Sequence, residues 1–318
     1  MIASPSTSPD PHASSDVAVV IPTVGSPSLE HCLDAVADLE PPPLAVVVVH
    51  SGPGRVPVRP GVEVLHSQRL LGFASAVNAG VAAAPAAAGL LAVLNDDALP
   101  PPSWLGVLCR ALAADERLAA VQGTITDLAG ETIDGRGITL DRWALPIQVD
   151  RGAALTSEIG GVTEDVLAVS GTACVLQRRA LADATAGRLA PYDPTFGSYH
   201  EDLDLGLRLR RLGWRAAWVG GAPVRHAGSA SGLALRWRHP WWLLANRWRA
   251  LAGNLSPFAF LGQLPRLLRG ELRAVRTLAR TNRRAAAAAL AVELALPVLA
   301  ARGWCRPTPG ARLDRLPE

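Results

Sequence analysis

The stretch LLAVLNDDALP, residues 90–100, decides how this sequence folds. Its first five residues are apolar, a run typical of a short strand covered on both faces. Asn95, Asp96 and Asp97 follow directly, and ligands of open α/β sheets bind beyond the carboxyl ends of strands. Adjacent carboxylates there suit a hard cation such as Mg²⁺ or Mn²⁺ that also bridges phosphate oxygens. The alternative is a turn with an Asx cap, so the surrounding sequence has to decide.

Three further Val-rich apolar runs precede this stretch and alternate with helical patterns. The runs cover residues 17–21, 45–50 and 62–66, and the helical patterns cover residues 28–39 and 72–84. This alternation predicts an α/β sheet of the nucleotide-binding type, with all four strands covered on both faces. Polar residues end these strands too, with Pro22 and Thr23 after the first and His50 after the second. We expect the polar strand ends to converge on one crevice.

A second acidic cluster lies at the start of a predicted helix, in YHEDLDLGLRLRRLGW at residues 199–214. Glu201, Asp202 and Asp204 fall in its first turn, where acids commonly complement the helix dipole. A carboxylate at a helix start within a cleft can also take the proton from an attacking hydroxyl group, provided that it lies within hydrogen-bond reach. Both interpretations stay open for each acid separately.

A lone histidine follows a predicted strand in RHAGSAS, residues 225–231. Such a residue is usually structural or solvated, but neutral imidazole is also a common metal ligand. Because two acidic clusters precede it, His226 is a candidate to complete a carboxylate metal site.

The composition indicates a globular protein with a lopsided charge. The 318 residues are 49% hydrophobic, enough to bury a full core, and every side-chain cation is arginine. The four cysteines form no C-x-x-C pair, which argues against a zinc site or a disulfide framework and favours the cytoplasm. Residues 1–230 carry a net charge of −8 and residues 231–318 carry +11. Such a basic tail predicts contact with an anionic surface, either membrane or nucleic acid.

Taken together, these segments resemble the GT-A glycosyltransferases of family 2, and within them the bacterial rhamnosyltransferase-like enzymes. The resemblance covers residues 17–254 and rests on the order and spacing of VAVVIPTVG, LEHCLDAV, LLGFASAVNAGVAAA, LNDDALPPPSWL, SGTACVLQRRAL, FGSYHEDLDLGLRLRRLGW, RHAGSAS and ANRWRALAGN. It implies a mixed central sheet flanked by helices, and an inverting, metal-dependent transferase of cell-envelope or polysaccharide assembly. The implied donor is a nucleotide-diphosphate sugar, with dTDP-rhamnose as the leading candidate, and the implied acceptor is a polyprenyl-linked or cell-wall glycan.

The resemblance also implies roles for the first polar clusters. Asp97 and His226 would bind the Mn or Mg ion, and Asn95 and Asp96 would lie near the ribose and diphosphate. The other implied contacts of the nucleotide and sugar are Pro22, Thr23, His50, Gly72, Asn78, Gly171 and Thr172. Among these, residues 72–78 would form the loop and helix start against the nucleotide, while Gly171 in SGTA also fits a plain tight turn.

The resemblance implies one base and one supporting acid. Asp202 would deprotonate the acceptor hydroxyl, and Glu201 would orient it or bind the acceptor. Attack opposite the departing nucleotide would invert the anomeric centre. A single carboxylate suffices as base because the metal stabilises the leaving diphosphate, unlike in hydrolases that use two carboxylates.

One position departs from the family pattern. The family shows Asp-Asn-x-Ser after its second strand, with the Asp accepting from the pyrimidine base, whereas this chain has HSGP at residues 50–53. Neutral His50 can accept at one nitrogen and donate at the other. The departure supports a second interpretation, a degenerate member that binds nucleotide or glycan without turnover. A nucleotidyltransferase is the third, although the chain lacks the usual Gly- and Lys- or Arg-rich phosphate loop after its first strand.

The sequence predicts a disordered lead-in at residues 1–15 without signal-peptide features, a catalytic domain at 16–254 and a helical tail at 255–318. In the tail, residues 264–284 are typical of an amphipathic basic helix. One face carries Arg266, Arg269, Arg273, Arg276, Arg280 and Arg284, and the other carries Leu267, Leu268, Leu272, Val275 and Leu278. Upstream, a mixture suited to lipid headgroups consists of Trp237, Trp241, Trp242 and Trp248 among Arg236, Arg238, Arg247 and Arg249.

Two interpretations of this tail remain. It contacts an anionic membrane peripherally, on the cytoplasmic face, or it packs on the catalytic domain with its arginines in water. The apolar segment at residues 285–301 is too short and too interrupted to predict a spanning helix. No nucleic-acid module is present in the sequence, so nucleic-acid binding is not expected.

Overall fold

The computed structural model describes residues 16–157, 160–228, 239–281, 298, 301, 303–306 and 309–317, without the side chains of 239–244 and 277–281. The predicted lead-in and most of the apolar segment at 285–301 lie outside these ranges. Six side chains of the predicted tail also lie outside them, those of Leu278, Arg280, Arg284, Trp237, Trp241 and Trp242. The last three belong to the four predicted interfacial tryptophans.

The strands and helices alternate as the sequence predicts. The strands are β1 (Val17–Thr23), β2 (Ala45–His50), β3 (Val62–His66), β4 (Leu90–Leu94), β5 (Ala98–Leu99), β6 (Leu118–Gln122), β7 (Ile125–Thr126), β8 (Ile133–Gly135), β9 (Ile138–Leu140), β10 (Pro146–Gln148), β11 (Thr163–Val166), β12 (Ala173–Gln177), β13 (Arg215–Val219) and β14 (Val224–His226). The α-helices are α1 (Leu29–Ala37), α2 (Phe73–Ala83), α3 (Trp104–Ala114), α4 (Arg178–Ala184), α5 (Glu201–Arg211), α6 (His239–Asn254) and α7 (Pro257–Thr281).

An eight-stranded mixed sheet forms the centre of the fold. Its order is β11-β13-β6-β12-β4-β1-β2-β3, with β1, β2, β3 and β4 mutually parallel and β12 antiparallel to both of its neighbours. Apolar clusters cover both faces, one built with α1 and α3 and the other with α2, α4 and α5. The predicted mixed sheet flanked by helices is confirmed.

One prediction about this sheet is wrong. The strand β3 was expected to be covered on both faces, but its residues are half-buried or exposed. The reason is its position at the edge of the sheet, beside β2 alone. The other three predicted strands lie inside the sheet and are almost wholly buried.

A small second sheet, of order β5-β14-β7-β8, lies beside the large one. It pairs β5, just after the first acidic stretch, with β14, which ends at His226. Long-range pairing of this kind brings together residues that are far apart in the sequence.

The C-terminal helices share a core with α5, the helix that begins with the second acidic cluster. In this core, Leu203 and Leu207 of α5 pack with Trp248 of α6 and with Phe260 and Leu267 of α7. The predicted boundary after residue 254 therefore falls between two helices that pack against the same apolar cluster. The boundary itself stays a prediction.

The predicted apolar face of the basic helix divides into two. Leu267 is fully buried and Val275 packs at the edge of the same cluster, whereas Leu268 and Leu272 are each 46% exposed. The expected headgroup residues Arg247 and Trp248 are 1% exposed, because both bind Glu271 of α7, Arg247 through Nη2 at 3.0 Å and Trp248 through Nε1 at 2.9 Å. Within the described ranges, none of the helices combines the length and the apolar character needed to cross a bilayer.

Candidate active site

The first polar cluster forms where β1 and β4 end side by side. Thr23 donates a hydrogen bond from Oγ1 to Asp96 Oδ2, joining the two strand ends. Burial raises the pKa of Asp96, although the Thr23 hydroxyl opposes the change. Pro22 lies in the same strand end, and Asn95 is half-buried above Cys32, whose Sγ donates to the Asn95 carbonyl at 3.4 Å. These predicted nucleotide contacts therefore lie together at one edge of the sheet.

The histidine that departs from the family pattern is paired with a second histidine. The register of the parallel strands places His50 beside Thr23 on one side and beside His66 on the other. The two Nδ1 atoms lie 3.2 Å apart, so one imidazole donates and the other accepts. His50 Nε2 is buried and has no hydrogen-bond partner among the residues that the structure describes. His66 was not predicted as a site residue, because a lone histidine at the end of a strand carries no distinguishing signal in the sequence.

The predicted metal ligands meet through the second sheet. His226 lies opposite Ala98 in the antiparallel ladder, so its ring lies against Asp97, with Nε2 3.1 Å from Oδ1. Both residues are buried, at 7% and 9% exposure. On the other side, His226 Nδ1 lies 3.6 Å from Asp134 Oδ2, so the imidazole is held between two carboxylates.

These carboxylates govern the charge of the imidazole. Burial lowers the pKa of His226, but Asp134 and Asp97 outweigh burial and raise the pKa to about 9. The pKa of Asp134 is lowered in turn, chiefly by its contact with His226. Asp134 was not predicted as a site residue. It belongs to no acidic cluster in the sequence, and strand pairing from β8 through β7 to β14 brings it to His226.

The residues present fit a divalent cation shared with a diphosphate, with the cation displacing the proton that the two carboxylates favour on His226. Both ring nitrogens of His226 are buried without a well-oriented hydrogen bond to any described residue. The spacing of 3.1 Å between Nε2 and Asp97 Oδ1 is that of neighbouring ligands of one cation. Among the described residues no group of three or more His, Cys, Asp or Glu is arranged to hold a metal by itself. Ions of the Mg²⁺ type are commonly held by one or two protein ligands together with water and substrate phosphates.

The second acidic cluster contains two carboxylates of different character. Burial raises the pKa of Glu201 well above its usual value, and the neighbouring Asp202 raises it further. Burial also raises the pKa of Asp202, to about 6, but the backbone N–H groups of Leu203 and Gly171 oppose the change. Asp202 therefore ionises first, while Glu201, with Oε2 buried and unpaired among described residues, keeps its proton. The pair therefore contains one carboxyl group that ionises more readily, Asp202, and one whose pKa is raised further, Glu201.

The third acid of this turn has a structural role. Asp204 is fully buried and accepts hydrogen bonds from Arg208, Arg306 and Asn254. Burial alone would raise its pKa, but Arg306 and Arg208 outweigh burial and lower it. Asp204 is therefore neutralised by two arginine side chains, a pairing that differs from the predicted interaction with the helix dipole.

The loop before β12 joins the two acidic clusters. The Asn95 N–H donates to the Thr172 carbonyl at 2.8 Å, and the Gly171 N–H faces the Asp202 carboxylate. A Cβ atom on Gly171 would lie 2.8 Å from the ring of Phe73 in α2 and 3.2 Å from the Tyr192 hydroxyl. Glycine is therefore required at position 171 by close packing, and the loop brings the predicted donor and acceptor residues together.

The predicted nucleotide loop contacts the backbone of residues 192 and 197. Gly72 immediately precedes α2 in extended conformation, and a Cβ atom there would lie 2.8 Å from the Gly197 carbonyl oxygen. Asn78 donates from Nδ2 to the Tyr192 carbonyl at 2.6 Å and accepts from the Tyr192 N–H at 3.0 Å. The Asn78 amide thus binds the fold, and its contact with a nucleotide stays a prediction.

Comparisons with known proteins agree with this architecture. The family model described as "Glycosyltransferase like family 2" matches residues 13–248. The structure of GalNAc-T7 with UDP, GalNAc and Mn²⁺ matches with a TM-score of 0.53 and 16% identity, over 66% of this chain and 42% of that one. The mannosyltransferase PcManGT from Pyrobaculum calidifontis, in complex with GDP-Man and Mn²⁺, matches with a TM-score of 0.52 and 18% identity, over 93% of this chain and 86% of that one. No curated protein matches the chain. At these identities the two solved structures show a shared GT-A fold.

Proposed function

The chain belongs to glycosyltransferase family 2 and is a glycosyltransferase of GT-A fold, and from this premise we propose that it is an inverting enzyme assisted by a divalent cation. The proposed donor is a nucleotide-diphosphate sugar and the proposed acceptor carries a free hydroxyl group. The observation that carries the proposal is the 170–172 loop, which bonds to Asn95 beside the Asp97 and His226 pair and faces Asp202 through Gly171.

Each acidic group then has a task that matches its surroundings. Asp202, which ionises below neutral pH, accepts the proton of the acceptor hydroxyl. Glu201, whose pKa burial raises well above its usual value, binds the acceptor and orients it. Asp97 and His226, once its imidazole has lost its proton, would hold Mn²⁺ or Mg²⁺, and the cation would supply positive charge beside the leaving diphosphate. Asp134 fixes the ring of His226 from the opposite side.

The base of the proposed donor is inferred from the histidine at the end of β2. We propose that the His50 and His66 pair lies beside the base, because His50 adjoins Thr23, whose hydroxyl binds Asp96. A histidine pair provides one donor and one acceptor, which matches the adjacent N–H and carbonyl groups of uracil or thymine. A dTDP sugar, with rhamnose first, is therefore the proposed donor, and a polyprenyl-linked or cell-wall glycan is the proposed acceptor.

A thermal-shift panel tests the site. The purified chain is heated with UDP, dTDP, GDP or CMP, each with and without Mn²⁺, because ligands that bind only the folded state raise its apparent stability. We expect a shift with one diphosphate that requires Mn²⁺ and is lost in Asp97→Asn. The matched control is Asp165→Asn, since Asp165 pairs with Arg215 on an exposed strand.

Turnover separates the proposal from its alternatives. Release of the diphosphate from a donor sugar, dependent on both Mn²⁺ and acceptor, is the expected result. A Mn²⁺-dependent shift without turnover of any nucleotide sugar would favour the degenerate binder. Release of pyrophosphate from a nucleoside triphosphate and a sugar phosphate would favour the nucleotidyltransferase.

We also propose that α7 rests on an anionic membrane surface. In a helix, the residues 3, 10 and 14 positions after a given residue lie on the same face as that residue. On α7 that face carries Phe258, 88% exposed, Leu261, 54% exposed, and the half-exposed Leu268 and Leu272. The adjoining face carries the exposed Arg269, Arg273 and Arg276. The helix therefore packs on the domain with a third face and still presents an apolar stripe beside a cationic one.

Vesicle sedimentation tests the surface. Vesicles of neutral phosphatidylcholine are compared with vesicles that also contain phosphatidylglycerol. We expect binding only to the anionic vesicles, weakened more than about 20-fold by the double change Arg269→Glu and Arg273→Glu, since each basic residue contributes about 1 kcal/mol. Leu261→Ser should also weaken binding. Its control is Leu128→Ser in the loop between β7 and β8, where Leu128 is 50% exposed, and this change should leave binding unaltered. Equal binding by all variants would show that α7 does not contact the vesicles.

A further inference from the structure

The turn that leads into α5 has a strained backbone. Tyr199 and His200, the two residues before Glu201, have φ angles of 72° and 65°, in the left-handed region. Residues with a Cβ atom are unfavourable in this region, and two in succession persist only when surrounding contacts fix them. Because Glu201 and Asp202 follow at once, the strain lies where the orientation of the proposed base is set.

A buried asparagine of α6 binds this turn. Asn246 of α6 is 1% exposed, and its Nδ2 lies 2.9 Å from the Phe196 carbonyl, 3.0 Å from that of Ser198 and 2.9 Å from that of Tyr199. These three carbonyls converge on Asn246 Nδ2, whose two N–H groups are shared among them. Arg249 reinforces the contact from the same helix by donating to Asn246 Oδ1 at 3.3 Å and to the Thr195 carbonyl at 2.7 Å.

The same turn also contacts the predicted nucleotide loop. The Gly197 carbonyl accepts from the Ala74 N–H in the first turn of α2, at 3.2 Å. Gly72 packs directly against Gly197, where a side chain would clash. Residues 196–200 therefore lie between the start of α2 and the start of α5.

We infer that Asn246 is a positioning residue, which sets the orientation of Asp202 relative to the nucleotide loop by binding the 196–200 turn from behind. The inference rests on the proposed function only in taking Asp202 as the base. Asn246 itself touches neither the metal pair nor the 170–172 loop in any described contact. It lies outside the acidic motifs, in the segment ANRWRALAGN.

The test compares Asn246→Ala with Asn254→Ala. Asn254 is a matched control, because it is a fully buried asparagine of the same helix that binds Asp204 and the Ala250 carbonyl rather than the turn. We expect Asn246→Ala to lower kcat about 10- to 100-fold with a smaller change in KM for the donor, as for misplacement of a catalytic group. Its kcat profile should also move to higher pH, since Asp202 loses the Gly171 N–H that favours its ionised form. Asn254→Ala should lower Tm without moving the profile.

Hydrogen exchange gives a readout independent of turnover. Amides of residues 198–203 should exchange faster in Asn246→Ala than in Asn254→Ala. Equal exchange there, or equal kcat and pH profiles in the two variants, would overturn the inference. If the unchanged chain shows no turnover with any donor, the proposed function fails while exchange still decides the role of Asn246. If Asn246→Ala does not fold, Asn246→Ser, which keeps one donor, provides the same comparison.

Discussion

Replacing Asp202 by asparagine should stabilise the chain while it removes activity. The change keeps the shape of the side chain and its acceptor for the N–H groups of Leu203 and Gly171, but it removes the charge. Folding raises the pKa of Asp202 from 3.8 to about 6 because the group is buried. A carboxyl group whose pKa is raised by folding destabilises the folded state when it is ionised.

The magnitude follows from that change. A pKa difference of one corresponds to about 1.4 kcal/mol, so the ionised Asp202 costs at most about 3 kcal/mol of stability. Because its titration is shared with Glu201, we expect Asp202→Asn to gain about 1 to 3 kcal/mol at pH 7.5. Because folding raises this pKa, the loss of stability appears between the unfolded and the folded pKa values. The cost is absent below about pH 3, where both states are protonated, grows as the pH rises to about 6, and is complete above that.

Urea unfolding at pH 4 and at pH 7.5 measures this gain, and donor turnover measures the loss of the base, expected at about 10²- to 10⁴-fold in kcat. Asp204→Asn is the control within the same helical turn. Its carboxylate is stabilised by Arg208 and Arg306, so neutralising it leaves buried arginines without their partner and should destabilise by about 3 to 5 kcal/mol. If Asp202→Asn destabilises the chain equally at both pH values, or retains its kcat, Asp202 is not the buried base.

Three further predictions concern the same region and its support. The kcat of the unchanged enzyme should fall about tenfold for each unit of pH below about 6, as Asp202 takes up its proton; a flat profile between pH 4.5 and 7 would contradict this. Gly171→Ala should lower kcat at least about tenfold with a Tm loss of a few degrees, because the added methyl group displaces the loop that faces Asp202, and unchanged kinetics would refute that placement. Glu271→Gln should destabilise by about 3 kcal/mol in urea unfolding because it weakens a fully buried pair with Arg247, whereas Asp165→Asn, in an exposed pair, should cost under about 1 kcal/mol.

The convergence of the strand ends could be predicted from the sequence because it follows from a local pattern. Apolar runs predicted β1, β2 and β4, and parallel strands end at one edge, so Thr23, His50 and Asp96 had to be neighbours. The position of His226 was predicted by resemblance, and the ladder between β5 and β14 supplies its physical reason.

The remaining features depend mainly on contacts that leave no local signal. A local signal separates Asp204 from Asp202, because Arg208 follows Asp204 at the i,i+4 spacing, but Arg306, which lowers the Asp204 pKa most, lies 102 residues later. Asp134 likewise needs two strand pairings to reach His226. In α7 the helical period predicts one apolar face, and only packing shows that Leu267 is buried while Leu268 is not.

The contact between Arg306 and Asp204 has a consequence for shortened forms of the chain. Arg306 also binds Asp193, and nearby the backbones of Leu255 and Leu313 bridge, so the last described residues close over the helix that carries the proposed base. A variant that ends at residue 254, made to obtain a catalytic domain free of lipid affinity, would leave a fully buried carboxylate short of one cation. We therefore expect surface substitutions on α7 to abolish the proposed membrane contact without loss of turnover, whereas removal of the tail should disturb the helix that carries the proposed base.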